Sequence, residues 1–204
     1  MEKPRYVSVV VDVQNDFVNG SLPVPGALEI MQPLAAVDKA VWRTGGDNVK
    51  TGDQHPADTP HFDRWPVHCI EGSDGAVFYS ALRFTDDDIV ISKGMEQTDG
   101  YSAWVGISEQ GDTLETIIAP RTPEEKVRVF IGGLATDYCV KATTLDIKGH
   151  FSDDERVAVY LLRDAIRAVN LQPNDGDEAI KAMLDAGAIA ITSQEALALI
   201  AEGM

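Results

Sequence analysis

The chain has few cysteines and no long hydrophobic run. Cys69 and Cys139 are the only cysteines among its 204 residues. Two cysteines cannot build a disulfide framework, so a cytoplasmic protein with free thiols is the simplest interpretation. No apolar run approaches the roughly 18 residues that span a membrane, and the apolar start at residues 6–11 is too short for a signal peptide. We therefore predict no membrane partner.

Basic residues are also scarce. The 17 lysines and arginines are outnumbered by 33 aspartates and glutamates, which gives a formal net charge of −16 at pH 7. A surface of this charge repels phosphates, so nucleic acid is excluded as the expected partner. Hydrophobic residues make up 44% of the chain and no low-complexity linker divides it. We therefore predict a single domain over residues 1–204.

Short β-branched segments alternate with segments of helical periodicity. Strands are predicted at residues 6–11, 48–52, 89–92, 127–131, 157–162 and 188–192. Helices are predicted at residues 27–44, 112–119, 138–148, 175–186 and 193–201. Apolar strands separated by helices are typical of a parallel sheet that is buried on both faces. We predict an α/β protein with a three-layer, doubly wound fold, in which a central, mostly parallel six-stranded sheet has helices on both faces.

Charged side chains follow the first three predicted strands, at the point where each strand ends. Asp12 follows the first strand, Asp53 the second and Lys93 the third. Ligands of open α/β sheets bind at the carboxyl ends of the strands, so these side chains should face one crevice.

A glycine turn and a cysteine follow the fourth strand. Gly132 and Gly133 lead to Cys139, which stands at the start of a predicted helix. The unpaired N–H groups and positive dipole end of a helix favour the thiolate, which is the nucleophilic form of cysteine. The alternative is a small apolar side chain packed at a strand–helix junction.

The neighbouring strand ends offer partners for such a thiol. Asp12 can take the proton of Cys139 and later give it to a leaving amine. The Lys93 cation is expected to lower the pKa of Cys139 and to keep Asp12 ionised. The backbone N–H groups of Ala135 and Cys139 are the candidates for an oxyanion hole.

Three of the four histidines fall in one loop region, which we place at residues 53–88. Asp53 and His55 stand two apart directly after the second strand, and His61 and His68 follow. Carboxylate and imidazole ligands suit one divalent metal ion, with Zn²⁺ as the expected ion and Fe²⁺ or Mn²⁺ as alternatives. The fourth histidine, His150, is expected at the surface.

Taken in order, these motifs resemble the nicotinamidase branch of the isochorismatase-like cysteine hydrolase superfamily over essentially the whole chain. The resemblance is carried by residues 11–17 (Val-Asp-Val-Gln-Asn-Asp-Phe), 51–56 (Thr-Gly-Asp-Gln-His-Pro), 65–69, 93–94 with 99–102, and 133–140. The chain departs from the family's pattern at Gln54, where a tryptophan or a serine is more usual.

The resemblance implies a catalytic triad of Asp12, Lys93 and Cys139. It implies that one divalent metal ion is held by Asp53, His55, His61 and His68. It further implies that aromatic side chains contact the substrate ring, namely Phe17, Trp65 and Tyr101, which we expect Tyr138 to join. A cis peptide bond is expected between Leu134 and Ala135.

The implied reaction is the hydrolysis of nicotinamide to nicotinate and ammonia through a thioester on Cys139, as a step of NAD salvage. The resemblance implies that the metal binds the pyridine nitrogen of this substrate. Pyrazinamide, a close isostere, should be hydrolysed to pyrazinoate. Cys69 is expected to be a buried bystander.

Two alternatives remain at this point. A related amidohydrolase, acting on a ureido, N-carbamoyl or other small amide, would share the triad but would mostly lack the full metal set. A non-catalytic metal-binding or ligand-binding protein could retain the same fold. An isochorismatase is disfavoured because it lacks a cysteine nucleophile. The α/β layout allows helices to form a symmetric homo-oligomer interface.

Overall fold

The fold is known from a computed structural model, which describes residues 3–97 and 99–203. In these residues, six strands pair in parallel in the order β3-β2-β1-β4-β5-β6. They are β1 (Arg5–Val11), β2 (Asp47–Asp53), β3 (Ile89–Lys93), β4 (Val127–Leu134), β5 (Val157–Arg167) and β6 (Ile189–Ile191). The predicted doubly wound fold is confirmed, and the pairing of these strands is wholly parallel.

Helices cover both faces of the sheet. They are α1 (Asn15–Val18), α2 (Met31–Arg43), α3 (Leu114–Ile118), α4 (Lys141–His150), α5 (Asp175–Asp185) and α6 (Ser193–Glu202). Short 3₁₀ turns lie at Ala27–Ile30, Pro60–Asp63, Asp74–Ala76 and Ala103–Val105, and a π-helical turn lies at Thr136–Val140. None of the helices in the described ranges is long and apolar enough to cross a membrane.

The central strand β1 shows why the strands read as continuous apolar runs. Val7 and Val9 belong to one buried cluster, which also contains residues of α3, α4 and α5. Tyr6 and Val10 belong to a second buried cluster, which contains residues of α2 and α6. Alternate side chains of a strand point to opposite faces, so a strand buried on both faces is apolar at nearly every position.

Four predicted boundaries are wrong by three or more residues. Strand β4 was predicted to end at residue 131 but continues to Leu134, so Gly132 and Gly133, predicted as a turn, belong to the strand. The helix predicted at residues 27–44 begins as a 3₁₀ turn, and α2 starts at Met31. The helix predicted at residues 138–148 begins as a π turn and becomes α-helical at Lys141. Strand β5 continues to Arg167 instead of ending at residue 162, because the register against β4 shifts beyond Ile131 and accommodates extra residues.

The strand order reverses between β1 and β4, which lie side by side at the centre of the sheet. From β1 the chain proceeds outward to β2 and β3, and from β4 it proceeds outward to β5 and β6 in the other direction. Such a reversal opens a crevice at the carboxyl ends of the two central strands. Asp12 and the loop that carries Cys139 both leave the sheet at this crevice.

Candidate active site and metal centre

Four buried side chains meet at the carboxyl ends of the first four strands. The Nζ atom of Lys93 lies 2.8 Å from Asp12 Oδ2, 2.6 Å from Asp53 Oδ1 and 3.4 Å from Cys139 Sγ. Lys93 and Asp53 are partners in the register of β3 against β2, so the sheet itself sets their contact. The structure therefore brings together the three residues of the predicted triad, with Asp53 beside them.

Asp12 is held in one orientation by the neighbouring strand. Its backbone has a positive φ of 49°, and its N–H donates to the Thr51 carbonyl at 3.0 Å. The Thr51 hydroxyl donates to Asp12 Oδ1 at 2.6 Å, while Lys93 faces the other carboxylate oxygen. One oxygen of Asp12 is thus anchored and the other faces the reactive groups.

The end of β4, just before the π-helical turn that carries Cys139, requires glycine. Gly133 has a φ of 127°, and a side chain there would collide with the backbone oxygen of Val11. The peptide bond between Leu134 and Ala135 is cis, as expected from the sequence. The buried carboxylate of Asp137 then accepts the N–H groups of Val169 and Asn170 at 3.0 and 2.8 Å, which ties this loop to the end of β5.

Lys93 lowers the pKa of Cys139, as expected from the sequence, but this effect does not decide the net shift. Burial raises the pKa of the thiol well above its usual range; Lys93 opposes the rise, while Asp12 and Asp53 add to it. Burial also raises the pKa of Asp12, against the opposing effect of Lys93. The thiol proton therefore stays on sulfur in the free site, and Asp12 is a stronger base than an exposed aspartate.

Lys93 remains charged in spite of its burial. Burial alone would lower the pKa of its ammonium group, but Asp12 and Asp53 raise it well above the usual range. Burial acts to raise the pKa of Asp53, but Lys93 and His55 more than offset that effect, and its pKa falls. Lys93 and Asp53 are thus a cation and an anion at neutral pH.

Three buried histidines form a cluster next to Asp53. One nitrogen atom from each of His55, His61 and His68 lies within 4.8 Å of the others. In each ring the Nδ1 atom faces an acceptor, which is the Gly94 carbonyl for His55 at 2.9 Å and the Pro66 carbonyl for His68 at 2.7 Å. Hydrogen bonds at Nδ1 leave Nε2 free to bind a metal ion.

A buried nitrogen atom without a hydrogen-bond partner also indicates that the histidine cluster fits a divalent cation. The Nε2 atom of His55 is buried without a hydrogen-bond partner and lies 3.6 Å from Asp53 Oδ2. A buried polar atom of this kind calls for an explanation, and a cation held by imidazoles and a carboxylate supplies one. Burial lowers the pKa of His68 to about 4 and also lowers that of His61, so both rings are neutral at pH 7, as metal ligands must be.

The side chains of His55 and Asp53 leave no room for a side chain at position 94. Gly94 has a φ of 67°, and a Cβ atom there would lie 2.7 Å from His55 Cε1 and 2.9 Å from Asp53 Oδ1. We expect Gly94→Ala to weaken zinc binding by at least about tenfold, because it displaces two predicted ligands. Competition against a chromophoric chelator, on protein stripped of metal, measures this affinity.

Gly111→Ala is the matched control for Gly94→Ala. Gly111 also has a positive φ, 88°, but a Cβ atom there would meet nothing within 4 Å. The control therefore shares the backbone strain and lacks the collision. Equal zinc affinity for the two variants would contradict the assignment of His55 and Asp53 to a metal site.

An aromatic pocket leads to the thiol of Cys139. Trp65 donates from Nε1 to the Tyr101 hydroxyl at 3.1 Å, and its ring is nearly perpendicular to that of Tyr138, with centroids 4.9 Å apart. Phe17 packs against His68, with centroids 5.2 Å apart. The pocket is lined by the four predicted ring contacts together with Leu22, Val24, Asp53, His61, His68, Ala135, Cys139 and Val169. A flat aromatic ring fits such walls.

Sequence reasoning missed the residues that hold the predicted ones. Gln14 is fully buried; its Nε2 donates to the Asp53 carbonyl at 2.8 Å, and its Oε1 accepts the Asp53 N–H at 2.8 Å. Gln14 stands in the motif that carries Asp12, but its partner Asp53 lies 39 residues further along the chain, at the end of β2. The local sequence pattern therefore did not indicate a role for Gln14. Leu22 and Val24, which line the pocket, were also not predicted as site residues. His150 lies apart on the surface, as predicted.

The fold and the site together define a class of protein, a doubly wound α/β protein with a buried cysteine, a lysine and an aspartate at the carboxyl end of its parallel sheet. A family model, the Isochorismatase domain, matches residues 6–195. The chain therefore belongs to the isochorismatase family.

Curated relatives narrow the comparison within that family. The nicotinamidase of Escherichia coli is 30% identical over 216 residues, which cover 93% of this chain and 95% of that protein. The nicotinamidase/pyrazinamidase of Mycobacterium tuberculosis is 33% identical over 145 residues, which cover 68% of this chain and 76% of that protein. The predicted resemblance to the nicotinamidase branch is confirmed.

Solved protein structures are also similar to this chain. The pyrazinamidase of Pyrococcus horikoshii in complex with zinc is 34% identical, with a TM-score of 0.77 and coverage of 93% of this chain and 99% of that one. PnC1 from L. infantum in complex with nicotinate is 30% identical, with a TM-score of 0.76 and coverage of 93% of each chain. N-carbamoylsarcosine amidase from Thermoplasma acidophilum is 26% identical, with a TM-score of 0.70 and coverage of 93% and 96%.

Proposed function

We propose that this protein is a metal-dependent cysteine amidohydrolase that converts nicotinamide to nicotinate and ammonia, and pyrazinamide to pyrazinoate. One observation carries the proposal: a buried thiol, beside an ammonium group and a carboxylate, opens into an aromatic pocket that a cluster of histidines borders. The names of the relatives and the nicotinate complex support the same substrate.

The reaction begins with proton transfer from Cys139 to Asp12. The sulfur then attacks the carboxamide carbon, and the backbone N–H groups of Ala135 and Cys139 hold the negative oxygen of the tetrahedral intermediate. Asp12 returns its proton to the nitrogen, and the C–N bond breaks to release ammonia and leave a thioester on Cys139. Water then attacks the thioester, with Asp12 as base, to give nicotinate and the free thiol.

Lys93 assists these reaction steps by compensating the negative charge of the carboxylates and the sulfur. Its ammonium group contacts both carboxylates and the sulfur, so it stabilises the negative charge wherever the proton transfer leaves it. Because these contacts are preformed and buried, no solvent shell has to rearrange during the reaction.

Asp53, His55, His61 and His68 would hold the metal ion, which we propose to be Zn²⁺, with Fe²⁺ or Mn²⁺ as alternatives. When bound, it supplies a Lewis acid beside the pocket that can hold the ring nitrogen of the substrate. Phe17, Trp65, Tyr101 and Tyr138 enclose the ring and keep water from it. The cytoplasmic location, the place in NAD salvage and a homo-oligomer stay predictions that accompany this proposal.

Ammonia release from a panel of amides tests the proposal. We expect zinc-loaded protein to hydrolyse nicotinamide and pyrazinamide, and chelation to lower the rate by about 100-fold or more, because the metal's share is several kcal/mol. Adding a divalent ion back should restore the rate. Faster hydrolysis of an N-carbamoyl amino acid than of nicotinamide would favour the second candidate, an N-carbamoyl amidohydrolase, which the structural likeness to the T. acidophilum enzyme supports.

A further inference from the structure

Two chain segments meet beside the metal cluster through three side-chain contacts. The first segment carries His61, Arg64 and Trp65, and the second carries Asp99 and Tyr101. Asp99 Oδ1 lies 3.0 Å from His61 Nδ1, and Asp99 Oδ2 lies 3.0 Å from Arg64 Nη1. Trp65 and Tyr101 make the third contact at the pocket wall. Asp99 therefore joins the metal cluster to the segment that shapes the pocket.

His61 is held differently from the other two histidines. His55 and His68 each place Nδ1 against a backbone carbonyl, whereas His61 places Nδ1 against the carboxylate of Asp99. A carboxylate at Nδ1 fixes the tautomer that carries its proton there, and it makes the opposite nitrogen a better donor to a metal. A mutation cannot remove the backbone carbonyls that hold the rings of His55 and His68. The ring of His61 is held by a side chain, which a mutation can remove.

We propose that Asp99 is a positioning residue for the metal centre, which keeps His61 oriented with Nε2 towards His55 and His68. This inference rests on the proposed metal-dependent function. Asp99 itself does not touch the substrate or the metal, and it acts through the ring of His61. Arg64 restrains the second oxygen of Asp99 and so keeps the first oxygen aimed at the ring.

The exposure of Asp99 indicates that its side chain contributes little to the stability of the fold. The Asp99 side chain is 34% exposed and that of Arg64 is 72% exposed, whereas that of His61 is 3% exposed. Ion pairs as exposed as Asp99–Arg64 contribute little to folding. A change at Asp99 should therefore alter metal binding without unfolding the protein.

Zinc titration of metal-stripped protein tests the inference with three variants. Asp99→Leu, which removes the acceptor, should weaken zinc binding by about 10- to 100-fold. Asp99→Asn keeps an acceptor oxygen for the Nδ1 proton and should recover most of that loss. Asp63→Leu, at an exposed aspartate in the same segment as His61, is the matched control and should bind zinc like the unaltered protein. The thermal midpoints of the metal-free proteins should agree.

A second readout uses amide hydrolysis at rising zinc concentration. Because Asp99 acts through metal loading, Asp99→Leu should regain most of its kcat/KM at zinc concentrations that saturate its weakened site. Zinc affinity equal to that of the unaltered protein would overturn the inference, as would equal losses in the Leu and Asn variants with lowered thermal midpoints. Failure of the unaltered protein to bind zinc would instead refute the metal centre itself, and the inference with it.

Discussion

Replacing Cys139 by alanine is expected to lower kcat for nicotinamide hydrolysis by about 10⁴-fold or more, because no other group in the pocket can form the thioester. The variant should fold normally, since the change removes a single sulfur atom from a site that borders the pocket. Zinc affinity should also be preserved, because Cys139 is not one of the proposed ligands and the three histidines form a group that does not include it. Ammonia release under saturating substrate measures the loss.

Cys69→Ala is the control for this experiment. Cys69 is as buried as Cys139, but its sulfur faces the Gly75 carbonyl at 3.7 Å and does not border the pocket. Burial raises the pKa of this thiol as it raises that of Cys139, so the two thiols differ in their access to the pocket and not in the direction of their pKa shift. We expect Cys69→Ala to keep kcat within about threefold, which is less than 1 kcal/mol. Substantial turnover by Cys139→Ala would exclude covalent catalysis at Cys139.

Replacing Lys93 by methionine is expected to abolish turnover and to lower the free energy of unfolding by about 3–5 kcal/mol. The substitution leaves Asp12 and Asp53 buried next to each other without the cation that now separates them. Denaturant unfolding of metal-free protein measures the stability, so that metal binding does not mask the effect.

Two further variants make the test of Lys93 specific. Lys93→Met combined with Asp12→Asn should regain part of the lost stability, because one of the two unpaired charges is gone, but it should stay inactive. Lys181→Met removes a lysine whose ion pair with Asp185 lies on an exposed face of α5, and it should cost less than about 1 kcal/mol. A stability loss at Lys93 as small as that at Lys181 would show that its ammonium group does not hold the buried carboxylates.

The parallel sheet was predictable because its central strands are buried on both faces. The runs around Val9 and Ile131 are mostly apolar, so their identity as buried parallel strands could be read from composition, whereas their pairing as neighbours was not predicted. Once the strands are parallel, the residues that follow them share one edge. This argument placed Asp12 next to Lys93, and the structure has them in an ion pair.

The end of strand β5 could not be predicted from composition. Arg163 and Asp164 interrupt its apolar run, so the predicted strand ends before them. In the structure, Asp164 accepts the N–H and hydroxyl of Ser193 at 2.8 and 2.6 Å, a partner far along the chain that satisfies its charge within the strand. A tertiary contact of this kind leaves no local signal.

In the site, too, some residues could be recognised from the local sequence and others could not. The residue types of the metal cluster were recognisable because they follow one strand, but the partner of His61 is Asp99, 38 residues away. The expected lowering of the Cys139 pKa by Lys93 is present, but burial outweighs it, and the depth of burial cannot be read from a motif.

The central claim, an acyl-enzyme on Cys139, is tested most directly by partitioning with hydroxylamine. Nicotinamide and the methyl ester of nicotinate should both acylate Cys139, and hydroxylamine should then compete with water for the same thioester. We expect nicotinohydroxamate and nicotinate in one ratio, whichever substrate is supplied, and neither product from Cys139→Ala. Different ratios from the two substrates, or nicotinate without any hydroxamate, would contradict a common thioester intermediate.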